Sequence, residues 1–450
     1  MKCHENQLLS KDLCVTGDST VKDPSKNLFF IEYYLKVLWG VVLMAIISID
    51  NINFMNKRVI VRLDLNVPLN DSKVRDTTRI ERIIPTLKKI LASKPKYLLI
   101  LSHLGRPKAK LPNQFDSKDS LLPVAKALET LLDQPVIFSK TPIGPALKAE
   151  LEAIPHDSMI MAENVRFYAG EETNANDFAQ SLANLGDAFV NDAFSCSHRA
   201  HSSVVGITDY LPSYAGLCFK SEITALEGCL EKPDRPVIGI VAGSKVSTKI
   251  DLLLNLLSRL DYLFLGGGIA NTLLCAQGYK MGGSLVENDR LGVAEAILQQ
   301  AKTSHCKLIL PIDAIVASKL TPNTNTQIVD IDNIGPDQAM YDIGPKTLEH
   351  LNKTLGECKT ILWNGPVGVY EVPPFANGSM AIANTVAKLT SDGKIKSIAG
   401  GGDTMAVITS ANVEANFSYI STAGGAFLEW LEGKSLPGVE ALKTRAASGR

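Results

Sequence analysis

The sequence predicts an α/β fold of two doubly wound, parallel-sheet domains joined by a helix. With 450 residues the chain is long for one ordinary domain, so two or three domains are expected. From Lys57 onward, short apolar runs alternate with segments of helical period. The alternation forms two series separated by a long amphipathic stretch at 218–232. Apolar strands that alternate with helices are typical of parallel sheets covered on both faces.

An N-terminal extension, 1–49, precedes the regular pattern and is not expected to belong to the native fold. Its second part, 28–49, is strongly apolar but interrupted by Glu32 and Lys36. The uncharged run that follows is too short to span a bilayer alone, and no small-residue cleavage site follows it, which disfavours a signal peptide. A weak membrane anchor remains an alternative. We favour an extension upstream of the true start, because Met44 stands just before the regular pattern.

The first series is predicted to form an N-terminal domain over 50–217. Its apolar runs have the length of buried strands, and helical patterns follow them. Strands are expected within 57–67, 97–105, 135–140, 159–167 and 188–194, and helices within 79–93 and 121–132.

The second series is predicted to form a C-terminal domain over 233–431, after an inter-domain helix at 218–232. Most of its apolar runs are also followed by a helical pattern, of which 250–260 is the clearest. Strands are expected within 236–241, 261–268, 307–317, 360–369, 395–403 and 417–425.

Composition and charge exclude several classes of protein. Apolar residues make up 45% of the chain and charged residues 21%, as in globular proteins. A net charge of −1 argues against nucleic acid or an anionic membrane as the main partner. The eight cysteines are scattered, without metal-ligand spacing, which indicates free thiols in a reducing cytoplasm.

The predicted strands of the first domain end in polar and cationic side chains. Ligands of doubly wound folds bind outside the carboxyl ends of the strands, so these side chains should meet in one crevice. Singly, each has an ordinary explanation as a surface ion pair or a packed histidine. Together they would repel one another unless an anion joined them, and arginine pairs well with carboxylate and phosphate. The residues are Arg62, Asp64, Asn66, Arg79, His103, Arg106, Arg166, His198, Arg199 and His201.

The predicted strands of the second domain end in glycine. Glycine runs at 266–268, 400–402 and 424–425 each follow an apolar strand and open a helix, and Asn364-Gly-Pro follows a fourth strand. Glycine lets a backbone approach a ligand closely, and a helix start offers free N–H groups to phosphate. These loops predict a nucleotide cleft. Asp403, directly after a glycine run, could hold Mg²⁺ on the phosphates or simply cap the helix.

Two lysines stand where a helix disfavours them. Lys245 and Lys249 lie in AGSKVSTK, 242–249, between an apolar strand and a predicted helix. The spacing is not that of a Walker A loop, and cations are unfavourable at a helix N-terminus. A solvated helix start is one explanation. The other is that the lysines neutralise phosphates and the charge that develops when a phosphoryl group passes between the two domains.

The motifs together resemble the phosphoglycerate kinase family. The resemblance covers about 50–445, and several motifs are individually diagnostic. They are RLDLNVP (62–68), SHLGRP (102–107), ENVRF (163–167), HRAHSS (198–203), GSKVSTK (243–249), GGGIANT (266–272), ILWNGPVGVYE (361–371), AGGGDT (399–404) and STAGGAFLEWLEGK (421–434).

The resemblance implies reversible, Mg²⁺-dependent phosphoryl transfer between 1,3-bisphosphoglycerate with ADP and 3-phosphoglycerate with ATP. It also implies two Rossmann-like lobes that close by hinge bending, with 218–232 as the hinge helix. The C-terminal segment, 432–450, is expected to return to the first lobe. A monomer in the cytoplasm is expected, without nucleic-acid partners and without membrane association.

The resemblance also assigns roles to single residues. Arg79 and Lys245 would serve the transferring group, Asp403 the metal, Glu371 the ribose and Gly267 the adenine cleft. The catalytic set is Arg79, Lys245, Gly402 and Gly425. The set for 3-phosphoglycerate is Asp64, Asn66, Arg79, His103, Arg106, Arg166 and Arg199. The nucleotide set is Lys245, Lys249, Gly267, Asn364, Pro366, Glu371, Gly402, Asp403 and Thr404, with Asp403 as the metal ligand.

Two turns depart from the family pattern, and two other classes of protein are alternatives. Ser195-Cys196-Ser197 stands where Gly-Thr-Ala is common, and Ala423 replaces a glycine. A nicotinamide-dependent dehydrogenase would need G-x-G-x-x-G followed by an acidic residue, which the sequence lacks. A non-catalytic or membrane-tethered nucleotide-binding homologue would be expected to lose charged site residues, and all of them are present.

Overall fold

The computed structural model describes residues 46–107 and 117–445, which fall in one compact unit. The predicted extension up to residue 45, including Met44 as a start, lies outside the described residues. Within them, no helix is both long and apolar enough to cross a membrane.

The first domain is built on a six-stranded parallel sheet in the order β5-β6-β4-β1-β7-β8. Side chains of β1 alternate between two cores, with Val59 and Val61 on one face and Ile60 on the other. Helices cover both faces, as the apolar strands require. The strands are β1 (Arg58–Leu63), β2 (Leu69–Asn70), β3 (Lys73–Val74), β4 (Tyr97–Leu101), β5 (Val136–Ser139), β6 (Ser158–Ala162), β7 (Ala188–Asp192) and β8 (Ser213–Ala215), of which β2 and β3 form a separate hairpin. The helices are α1 (Thr78–Leu91), α2 (Leu122–Leu132), α3 (Pro145–Ala153), α4 (Ala169–Glu172) and α5 (Asn176–Ala183).

The second domain is built on another six-stranded parallel sheet, in the order β11-β10-β9-β15-β16-β17. Helix α6 (Leu217–Leu230) leads into it, close to the predicted 218–232. The strands are β9 (Val237–Ala242), β10 (Tyr262–Gly266), β11 (Lys307–Ile309), β12 (Asp313–Ala317), β13 (Gln327–Asp330), β14 (Ala339–Ile343), β15 (Thr360–Asn364), β16 (Lys396–Gly400) and β17 (Tyr419–Ser421). The helices are α7 (Ile250–Arg259), α8 (Gly267–Ala276), α9 (Leu291–Thr303), α10 (Pro345–Glu357), α11 (Asn377–Ser391), α12 (Gly402–Ser410), α13 (Gly425–Leu431) and α14 (Pro437–Arg445).

The predicted fold class, two parallel-sheet α/β domains, is confirmed. One strand prediction was wrong in detail, because the run 307–317 forms two strands. β11 joins the parallel sheet, whereas β12 pairs antiparallel with β13 and β14 in a separate three-stranded sheet. Pro311 lies between β11 and β12, and a proline has no N–H for a sheet ladder.

Both ends of the described chain pack against the first domain. Ile47 O accepts a hydrogen bond from Ala215 N at 2.8 Å, and Ile49 is fully buried, so the last residues of the predicted extension contact the first sheet. At the other end, Gly438 N in α14 donates to Ser197 O at 2.9 Å.

We expect Ile49→Ala to lower the free energy of unfolding by about 2–5 kcal/mol, since it leaves a cavity in the core of the first domain. Ile47→Ala is the matched control, because that side chain is 38% exposed, and we expect a loss below about 1 kcal/mol. Urea unfolding of both variants measures the difference. Equal losses would show that Ile49 does not belong to the folded core.

Candidate active site

The residues predicted to bind a small anion lie around one cavity of about 340 Å³ at the carboxyl edge of the first sheet. Their loops follow different strands, which parallel pairing brings to the same edge. The second domain contributes the turn of Ala423, Gly424 and Gly425 to the same cavity. The predicted residues that line it are Asp64, Asn66, Arg79, His103, Arg106, Arg166, His198, Arg199 and His201.

A buried arginine supports this cavity from below. Arg62, at the end of β1, is fully buried, and its Nε donates to Ser203 Oγ at 2.9 Å. Ser203 Oγ in turn donates to Glu171 Oε1 at 2.6 Å, and Glu171 is also fully buried. The chain therefore balances the buried guanidinium with a buried carboxylate through one hydroxyl group, as an unpaired buried charge would be very costly.

The same guanidinium determines the state of His103. Arg62 Nη2 lies 3.1 Å from His103 Nδ1 and can only donate, so Nδ1 must be the acceptor. Burial, and then the charge of Arg62, lower the pKa of His103 well below its ordinary value. His103 is therefore a neutral ring whose proton lies on Nε2.

Arg79 is held by an ion pair that links it to β1. It lies in α1 and donates to Asp64 Oδ2, which also accepts a hydrogen bond from Ser195 Oγ at 2.5 Å. A second N–H of Arg79 points to Thr422 O of the second domain at 3.3 Å. Asp64 thus neutralises Arg79 and keeps it beside the inter-domain cleft.

Other cations of the cavity are positioned by backbone groups and rings. Arg166 Nη1 donates to Gly105 O at 2.7 Å, and Asn66 Oδ1 accepts from Gly105 N at 2.9 Å, so both residues hold the loop that carries Arg106. Arg199 Nε donates to His198 Nε2 at 3.1 Å. Burial lowers the pKa of Arg166, because it disfavours the charged guanidinium. The several arginines around this cavity favour an anionic ligand with more than one charged group.

One trio in this cavity has the side chains of a metal site. Ligand atoms of Asp64, His103 and Cys196 lie within 4.8 Å of one another. However, Arg62 already donates to His103 Nδ1, and Arg79 to Asp64. Because the arginines use these lone pairs and add positive charge, the trio suits an anion site and not a cation site.

The residues predicted to bind a nucleotide, with the exception of Lys245, line a second cavity of about 720 Å³ at the carboxyl edge of the second sheet. Two glycines show how closely the loops around this cavity pack against one another. Gly267 has a φ of +63°, and Gly365 a φ of +99°, where a Cβ atom would lie 2.1 Å from Ala242 O. Larger residues could not take these positions. The predicted residues that line the cavity are Lys249, Gly267, Asn364, Pro366, Glu371, Gly402, Asp403 and Thr404.

Lys249 is the central cation of this cavity. Its Nζ donates to Ala242 O and to Asn364 Oδ1, both at 2.7 Å, and Asn364 Nδ2 donates to Gly400 O at 2.8 Å. Burial lowers the pKa of Lys249 to about 8, although Asp403 acts in the opposite direction. An anion in the cavity would return the pKa toward its ordinary value, so the ammonium group is placed to bind one.

Lys245 lies in a different environment from Lys249. It is exposed and is not among the residues that line either cavity, so the structure does not bring it together with the other predicted residues.

The first turn of α12 carries three of the predicted nucleotide-binding residues. Gly402 and Asp403 are exposed there, and Thr404 Oγ1 accepts a hydrogen bond from Gly365 N at 2.7 Å.

Sequence reasoning missed part of the second cavity. Met340, Tyr341 and Asp342 come from β14, in the three-stranded sheet that was not predicted, and Leu285 and Leu320 add further apolar lining. Their positions depend on tertiary structure. The run AMYDI (339–343) is the one local pattern that indicates this strand, and it is too short to predict that its residues line a ligand cavity.

Comparison with known proteins gives a consistent result. A family model described as phosphoglycerate kinase matches residues 49–434. The phosphoglycerate kinase of Rhodospirillum centenum is 48% identical over 399 residues, which are 89% of this chain and all of that protein. That of Xanthobacter flavus is 48% identical over 394 residues, 88% of this chain and 98% of the relative. The solved structure of phosphoglycerate kinase from Coxiella burnetii matches with a TM-score of 0.82 and 42% identity, over 89% of this chain and 100% of its own. The solved structure from Pyrococcus horikoshii matches with a TM-score of 0.74 and 28% identity, over 89% of this chain and 99% of its own.

The lowered pKa of Lys249 predicts how stability depends on pH. The unfolded chain keeps this proton up to about pH 10.5 and the folded one only to about pH 8, so the cost of the buried charge is relieved as pH rises between them. Between pH 7.5 and 10, we expect the free energy of unfolding of wild type to rise by roughly 1–3 kcal/mol relative to that of Lys249→Met. This range allows for solvent screening of the partly exposed side chain. Urea unfolding at several pH values measures this gain, with Lys245→Met as the baseline. A constant difference would contradict the shift.

Proposed function

The chain belongs to the phosphoglycerate kinase family and is a phosphotransferase, and we propose that it transfers a phosphoryl group reversibly between 1,3-bisphosphoglycerate with ADP and 3-phosphoglycerate with ATP. The observation that carries the choice of substrates is the pairing of two cavities of different character. One is lined by arginines and histidines, the other by glycine loops and Lys249. The turn of Ala423, Gly424 and Gly425 carries the second domain to the first cavity.

We assign 3-phosphoglycerate to the cavity of the first domain. The molecule carries a carboxylate and a phosphate, which match several guanidinium groups at once. A neutral His103 with its proton on Nε2 can donate to an anion without adding another charge. The proposed binding residues are Asp64, Asn66, Arg79, His103, Arg106, Arg166 and Arg199.

We assign the nucleotide to the cavity of the second domain. Lys249 and Asn364 would hold phosphates, Gly402 and Thr404 would lie beside them, Glu371 would bind the ribose, and Gly267 and Pro366 would line the adenine cleft. These positions all lie on the cavity wall, which supports the assignment.

The donor set at the start of α12 fits Mg²⁺ carried by the nucleotide. Asp403 offers an exposed carboxylate in the cavity, close enough to Lys249 to affect its pKa. Mg²⁺ on a nucleotide takes one or two carboxylates, with phosphate and water completing the shell. We therefore propose Asp403 as its protein ligand. The ion would neutralise phosphate charge, which is the chemistry it supplies in phosphoryl transfer.

The reaction needs positioning and charge more than proton transfer. The nucleophile in the ATP-consuming direction is a carboxylate with an ordinary pKa near 4, so it is ionised at pH 7 and no general base is required. Arg79 would leave its pair with Asp64 to bind the transferring group, helped by backbone N–H groups of Gly402 and Gly425. Lys245 lies outside both cavities, so it would serve the transferring group only after the domains close. Domain closure would also exclude water from the reaction.

We further propose that the N-terminal domain consists of 50–217 with 432–450, that 218–232 is the inter-domain helix, and that the C-terminal domain is 233–431. We also propose that the protein is a monomer in the cytoplasm. Contacts of α14 with the first domain support the return of the C-terminal segment.

A coupled assay tests the activity. Full-length chain and a chain starting at Met44 are mixed with Mg-ATP and 3-phosphoglycerate, and NADH oxidation is followed through glyceraldehyde-3-phosphate dehydrogenase. We expect a signal that requires both substrates and Mg²⁺ from both chains. Silence from both folded chains would overturn the catalytic proposal and favour a non-catalytic homologue. Activity from the full chain alone would make the extension part of the working enzyme.

We expect Arg79→Ala to lower kcat by about 10²–10³-fold, because it removes a cation that serves the transferring group. Arg75→Ala is the matched control, since Arg75 is exposed, precedes the same helix and lines neither cavity. Initial rates at saturating concentrations of both substrates measure the effect. A kcat within tenfold of wild type would remove Arg79 from the catalytic set.

A further inference from the structure

The loop that carries Lys245 and Lys249 is bound by a carboxylate from another part of the second domain. Glu287 lies in the connection between α8 and α9. Its Oε1 accepts a hydrogen bond from Ser247 Oγ at 2.6 Å, and its Oε2 accepts one from Ser247 N at 3.0 Å. Both oxygens of Glu287 therefore bind the one residue that lies midway between the two lysines.

Ser247 is the central residue of a turn to which both lysines are joined. Val246–Thr248 form a single 3-10 turn. Lys249 N donates to Val246 O at 3.0 Å, and Thr248 Oγ1 donates to Lys245 O at 2.9 Å. A carboxylate that fixes Ser247 therefore also fixes the backbone from which both lysines extend.

Glu287 is itself fixed against the start of α8. Its backbone N donates to Thr272 Oγ1 at 3.2 Å, and the same hydroxyl donates to Gly268 O at 2.8 Å. Thr272 is fully buried. The lysine loop packs on the same helix, because a Cβ atom at Gly268 would lie 2.2 Å from Ser244 O. Glu287 thus joins the lysine loop to a buried part of the second domain.

Glu287 also brings a negative charge to this loop. Burial acts to raise the pKa of Glu287, but the hydrogen bonds from Ser247 and Val246, with the charge of Lys245, outweigh it, so this pKa lies below its ordinary value. The carboxyl group is therefore ionised at neutral pH. An anion is favourable beside the N–H groups that precede a helix, and it offsets the cost of two lysines before α7.

The two lysines depend on Glu287 to different degrees. Lys249 Nζ donates to Ala242 O and Asn364 Oδ1, so this side chain has contacts of its own. Lys245 is exposed, and its position follows from the backbone that carries it. We propose that Glu287 is a positioning residue, which holds the backbone of Lys245 where this lysine can reach the transferring group when the domains close. The inference rests on the proposed function, in which Lys245 serves that group.

Glu287→Ala removes both acceptors and should lower kcat about 10–100-fold, because a small displacement of a group that serves the reacting atoms is costly. The KM values for 3-phosphoglycerate and Mg-ATP should stay within about threefold of wild type, since Glu287 lines neither cavity. Asp289→Ala is the matched control, because Asp289 is 75% exposed and pairs with its neighbour Arg290, and its kcat should stay within about twofold. A loss confined to KM, or equal losses in the two variants, would overturn the proposal.

A double-mutant cycle separates positioning from general stability. If Glu287 acts through Lys245, Glu287→Ala should lower kcat by less than about twofold in a Lys245→Ala background. A loss of full size in that background would show that Glu287 acts elsewhere, and the proposal would fail. Urea unfolding and circular dichroism check that every variant is folded.

Hydrogen exchange, followed by NMR, tests the contact without any substrate. The Ser247 amide should exchange at least about tenfold faster in Glu287→Ala than in wild type. The Leu253 amide, which donates to Lys249 O at 2.9 Å in α7, is the internal control and should change by less than about twofold. Unchanged exchange at Ser247 would refute the contact. Silence of wild type in the coupled assay would instead remove the proposed function, and exchange at Ser247 would still decide whether Glu287 holds the loop.

Discussion

The need to compensate positive charge is the physical constraint on which the first domain depends. Arg62 is fully buried below the cavity, and the chain neutralises it with Glu171 through Ser203. Asp64 does the same for Arg79 at the rim. These partners let a group of arginines and histidines share one edge of a sheet without a ligand. They also orient the guanidinium groups, so an arriving anion meets a prepared site and not a set of mobile side chains.

In the second domain the corresponding constraint is the close packing of loops around the cavity. A Cβ atom at Gly267 or Gly365 would collide with the backbone of Gly243 or Ala242. Lys249 donates to two oxygens in this cavity, and burial lowers its pKa to about 8. The buried ammonium group lowers the stability of the folded chain, and a bound phosphate would restore it. Binding sites are commonly less stable than they could be, because function requires groups that burial disfavours.

The sequence predicted what depends on local pattern and missed what depends on tertiary pairing. Buried parallel strands are continuous apolar runs, so β1, β4, β9 and β15 are predictable from the sequence. The polar side chains that follow the strands of the first domain line one cavity, and the glycine loops of the second domain line another. Pro311 splits one run, but nothing local showed that β12 would leave the parallel sheet for β13 and β14. The position of Lys245 outside the cavities could not be predicted either, because two lysines one turn apart look alike in sequence. Ser195 was noticed only as a departure from a family pattern, whereas its hydroxyl donates to Asp64.

The return of α14 to the first domain has a consequence for how the chain is made. Leu436, Val439 and Leu442 are buried in one core with Phe194 and Ala215 of the first domain. Domains usually fold in the order in which the ribosome releases them. Here the core beside the first sheet lacks part of its lining until the last described residues have been synthesised, whereas the strands and glycine loops of the second domain are complete earlier. Translation should therefore yield a finished nucleotide-binding half before the half that was started first.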